Sequence, residues 1–78
     1  MIEVLQQLAA CDRPWAALRA QQALMMTQAV NSGEISADEY LELMRDLVRM
    51  DRLDAEADDL ETKTALVQAV YIVAQLPI

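Results

Sequence analysis

Residues that interrupt helices are rare in this chain and stand far apart. There is one glycine, Gly33, and there are two prolines, Pro14 and Pro77, in 78 residues. The long stretches between them are rich in Ala, Leu, Met, Gln and Glu, all good helix formers. Such a chain is driven toward a few long helices joined at a few points. The expected fold class is therefore all-α, a small helical bundle. Its length leaves room for one domain, residues 1–78, with a modest buried fraction. With 55% hydrophobic residues the chain is not disordered by composition. Phe is absent and the aromatics are Trp15, Tyr40 and Tyr71, so Leu, Met, Val and Ala must fill the core.

Four helices follow from the pattern. Ile2, Val4, Leu5 and Leu8 predict a short amphipathic helix over about 2–10. Asp12 is the expected N-cap of the next, with Pro14 in its first turn, where a missing N–H costs little. That helix spans about 13–31. Trp15, Leu18, Met25 and Ala29 share one face. Ala16, Ala20, Ala23, Thr27 and Val30 share a neighbouring one, small enough for another helix to approach closely. Asn31-Ser32-Gly33 is the stop. Ser36-Ala37-Asp38-Glu39 is a capping box, with Ile35 and Tyr40 as its hydrophobic staple. The helix it opens covers about 37–50 and buries Tyr40, Leu43, Met44, Leu47, Val48 and Met50. A break near Arg52–Leu53 then lets Asp54 cap the last helix, about 54–75; Asp58 with Glu61 is a second candidate start. Pro77 ends it.

The stretch Thr64–Ile78 contains no charge. Leu66, Val70 and Val73 point one way, Val67, Tyr71 and Ala74 another, and Ala65, Ala69, Ile72 and Leu76 a third. A helix apolar all round is normally buried. Two partner helices would cover only half of it, so the remainder is expected to bind a second copy or another protein. Burying ~500 Å² more would contribute on the order of 10 kcal/mol before ordering costs.

The remaining motifs point elsewhere less strongly. A net charge of −7 argues against direct nucleic-acid binding and against an anionic membrane surface. The uncharged tail of 15 residues falls short of the ~20 that span a bilayer. MIEVLQQLAACDRPW lacks a basic start before a long apolar run, so no signal peptide is expected. Cys11 is the only cysteine and there is no His, which excludes an intrachain disulfide and an imidazole base. Asp51, Asp54, Asp58, Asp59 and Glu61 form an acidic cluster. With one Lys and no Gly-rich loop beside it, capping and solvation are its expected roles rather than acid–base catalysis. Gly33 to Glu39 is similar to the second half of a calcium loop, but Val30 stands where a ligand oxygen is needed. A capping box after a glycine turn accounts for every residue, so no metal and no cofactor are expected. Arg45, Arg49 and Arg52 share a helical face. Glu42, Asp46 and Asp51 can neutralise them; the sharper expectation is that this stripe docks on the acidic cluster of a neighbouring subunit. Met25, Met26, Met44 and Met50 read as core filling. Trp15 is a candidate interface anchor.

The segment NSGEISADEYLELMRDLVRMDRL, with the acidic link and helical tail after it, resembles small all-helical proteins of tailed bacteriophages and prophages. In these a Gly-Glu-Ile-Ser/Thr turn opens a helix of the form Glu-Tyr-x-x-Leu. The resemblance covers about half the chain and implies a source rather than a mechanism. The expected function is a non-enzymatic protein–protein interaction module that forms a homo-oligomer through its last helix and binds a host or viral protein. A structural or assembly component of a phage particle is the alternative, and an acidic mimic of nucleic acid a weaker one. The expected interface comprises Leu66, Val67, Val70, Tyr71, Ile72, Val73 and Leu76, with Trp15, Arg45, Arg49 and Arg52. The expected compartment is a reducing cytoplasm, that of the host if the chain is phage-encoded.

Overall fold

A computed structural model describes residues 2–49, 53 and 56–75. Among these the chain is all-α, with helices α1 (Ile2–Ala9), α2 (Pro14–Asn31), α3 (Ala37–Leu47) and α4 (Leu60–Gln75) and no strands. Helix α1 packs on α2, α2 on α3, and α4 on all three others. The expectation of two partners for the last helix is thus corrected to three. Leu66, Ala69, Val70 and Val73 of α4 are buried with Leu5 of α1, Ala20 and Ala23 of α2, and Tyr40 and Met44 of α3.

Helix α2 starts as Pro14 dictates, but not with the expected cap. Arg13 holds the N-cap position in an extended conformation and makes no side-chain cap bond, while Asp12 is exposed. Proline at the first position removes one orphan N–H, which lowers the need for a capping oxygen. The buried side of α2 is its small-residue face: Ala16, Ala20 and Ala23 are wholly buried. Thr27 continues that face by donating to the Ala23 carbonyl at 2.9 Å. Its only proton is used there, so the Tyr40 hydroxyl, 2.9 Å away, donates to Thr27 Oγ1 and is satisfied inside the core. At the other end, the Gly33 and Glu34 N–H groups bond to the carbonyls of Val30 and Ala29, at 3.3 and 2.9 Å. That pattern needs a left-handed residue at Gly33, whose φ is +82°.

Helix α3 opens with the expected reciprocal box. Ser36 Oγ accepts from the Glu39 N–H at 3.1 Å, and the Glu39 carboxylate accepts from the Ser36 N–H at 3.0 Å. Ile35 packs against the core that contains Tyr40. The helix ends at Leu47, short of the expected Met50. The Val48 and Arg49 N–H groups step back to Arg45 and Asp46, tightening the last turn. The Leu47 carbonyl accepts from Arg19 Nη1 at 2.6 Å, so a side chain from α2 caps the end of α3. The turn buries Val48 and, beyond it, Leu53. Leu43, expected inside, is 38% exposed; Met50 lies outside the described residues.

Helix α4 begins at Leu60, six residues later than the preferred start at 54. Its cap is Asp59. The Asp59 carboxylate accepts from the Thr62 N–H at 2.9 Å and from the Thr62 hydroxyl, and its carbonyl accepts from the Lys63 N–H. Asp58, the second candidate, is held elsewhere. Asp54 and the proline stop lie outside the described residues.

Candidate functional site

Solvent-facing positions differ sharply from helix to helix. On α3 they carry Asp38, Glu39, Glu42, Arg45, Asp46 and, just beyond the helix, Arg49. The exposed positions of α2 are Pro14, Leu18, Gln21, Gln22, Met25, Gln28 and Asn31, none of them charged. Arg19 is the one charged residue of α2, and it lies against α3 and Glu56 with its side chain 13% exposed. Along α4 the outer face past the first turn presents Thr64, Gln68, Tyr71, Ile72 and Gln75, again without charge. Leu18 and Met25 are 56% and 68% exposed, and Tyr71 and Ile72 are both 42% exposed. Exposed uncharged faces on two long helices of a chain with net charge −7 are the candidate interaction surfaces.

This placement divides the residues expected at an interface. Leu66, Val70 and Val73 are at or near zero exposure. They build the core of the single chain and cannot meet a partner without unfolding it, because α4 is covered by three helices rather than two. Val67 is half-buried against the core, while Tyr71 and Ile72 remain on the surface. Thr64, Gln68 and Gln75 share that surface, so the last helix has a wet face after all, polar but uncharged. Leu76 and Arg52 lie outside the described residues.

Trp15 packs partly against the core, and its indole N–H donates to Asp58 Oδ1 at 2.9 Å. Arg13 Nη1 donates to the same oxygen at 2.9 Å, and Arg13 Nη2 stands 3.7 Å from Asp59. One turn along α2, Arg19 pairs with Glu56 as well as with the Leu47 carbonyl. The segment before α4 is therefore fastened to α2 by two arginines and an indole. Hydrogen bonding from Trp15, helped by the Arg13 charge, holds the Asp58 carboxyl below its usual range. Bonds from Thr62 do the same for Asp59, and bonds from Ser36 for Glu39. Within the chain, Arg13 meets the acidic cluster at Asp58 and Asp59, and Arg19 meets Glu56. Arg45 is exposed, and Arg49 lies 3.8 Å from Asp46 on the wet side of α3.

Arg13 and Arg19 were not singled out by spacing. The available signal was Arg19 standing alone as a charge in an 18-residue helix, because a lone charge inside an uncharged helix needs a specific partner. Among the described residues no group of three Asp, Glu or Cys side chains is placed to hold a metal ion. Among them, too, no helix is long and apolar enough to cross a membrane. A shallow cleft lined by Met25, Gln28, Ala29, Ser32 and Glu34 adjoins the exposed face of α2. Comparison with protein-family models, with curated proteins and with solved structures gives no match.

Proposed function

We propose that this chain is a non-enzymatic protein–protein interaction module that docks a host or viral protein on the outer face of α4. The observation behind this reading is the uncharged strip Thr64–Gln68–Tyr71–Ile72–Gln75, with two large apolar side chains exposed, on an otherwise strongly acidic molecule. Tyrosine and isoleucine flanked by Gln and Thr give an apolar centre with a polar rim, the composition of a docking patch. A fully buried opposite face of α4 holds that patch rigidly, since Leu66, Val70 and Val73 fix the rotation of the helix. The resemblance to small helical phage proteins supports an accessory role in a cytoplasm.

The test is affinity capture from host cells with the intact chain and with Tyr71→Asp and Ile72→Asp. A protein retained by the intact chain and lost from both variants supports the reading. Retention that survives both changes, or no retained protein, overturns it. Retention that falls steeply with added salt would favour the acidic-mimic reading instead, because exposed charge–charge attraction is screened.

A further inference from the structure

We draw no further inference here: the strongest candidate, the exposed uncharged face of α2 that carries Leu18, Gln21, Met25 and Gln28, is a surface patch for which nothing in the structure shows what covers it.

Discussion

The indole N–H of Trp15 and the Nη1 of Arg13 converge on one oxygen, Asp58 Oδ1, each at 2.9 Å. The start of α2 is thereby tied to the residue just before the cap of α4, across 43 positions of sequence for the indole bond. Trp15 is the only tryptophan, so its fluorescence reports this junction directly. Asp58→Ala should alter its emission while the far-ultraviolet circular dichroism stays that of the intact bundle. Arg13→Ala should alter it less, because the indole bond remains. Identical spectra for all three proteins would show that the junction does not hold in solution.

Acid should loosen the same junction. The Asp58, Asp59 and Glu39 carboxyls are lowered from ordinary values of 3.8, 3.8 and 4.5. A carboxylate whose folded pKa is lowered stabilises the fold above its unfolded value and loses that contribution as pH falls through the folded one. Stability from these groups is therefore complete above about pH 5 and declines from the ordinary carboxylate range downward. Repulsion among 13 acidic residues facing 6 basic ones is relieved over the same range, so the difference between proteins is the informative quantity. The melting temperature of the intact chain should fall toward that of Asp58→Asn below about pH 4. A gap between the two that stays constant from pH 7 to pH 3 would refute the assignment.

Arg19 should matter more than an exposed arginine usually does. It bonds to the last carbonyl of α3 at 2.6 Å and pairs with Glu56, with 13% of its side chain exposed. Arg19→Met keeps most of the packing volume but removes both the bond to the Leu47 carbonyl and the pairing with Glu56, and is expected to cost about 2 kcal/mol. Arg45→Met, on the exposed face of α3, should stay within about 0.5 kcal/mol. Urea unfolding of the two variants separates them; equal losses would remove Arg19 from its capping role.

Gly33 has φ +82° and nothing within 4 Å of where a Cβ would stand. Replacing it therefore costs backbone strain without a clash. Gly33→Ala is expected to lower stability by about 1 kcal/mol, and Gly33→Asn by less, since asparagine tolerates the left-handed region. A Gly33→Ala protein as stable as the parent would mean that the turn relaxes to another form.

Local chemistry made much of this fold legible in the sequence. The capping box at Ser36 and Glu39, the stop at Gly33 and the small face of α2 depend on neighbours within a turn or two. What was not legible depends on residues far apart. Arg19 capping α3 is separated from Leu47 by 28 positions, and Arg13 is separated from Asp58 by 45. The start of α4 moved to Leu60 for the same reason. Five acids compete to cap it in sequence, and Asp58, the second candidate, is taken by Trp15 and Arg13. Periodicity grouped Leu66, Val70 and Val73 on one face of α4, but it set buried Ala69 beside exposed Ile72 and could not say that three helices surround the helix. Hence Leu66, Val70 and Val73 read as interface when they are core.

That distinction between core and surface on α4 gives the sharpest pair of substitutions. Leu66 is fully buried among residues of all four helices. Leu66→Ala removes three carbons there and should cost about 3 kcal/mol, a transfer loss plus a cavity that the bundle only partly closes. For a domain of this size that is a large share of total stability. Val70→Asp would place a carboxylate in the same apolar core and should prevent folding, because taking a charge out of water among apolar side chains is costly. Two residues on, Ile72 is 42% exposed, and Ile72→Asp should change stability by less than about 0.5 kcal/mol. Thermal unfolding followed by circular dichroism distinguishes the cases. Should Ile72→Asp unfold the chain, or Val70→Asp leave it folded, the rotation of α4 described here would be wrong, and with it the outer strip proposed to dock another protein.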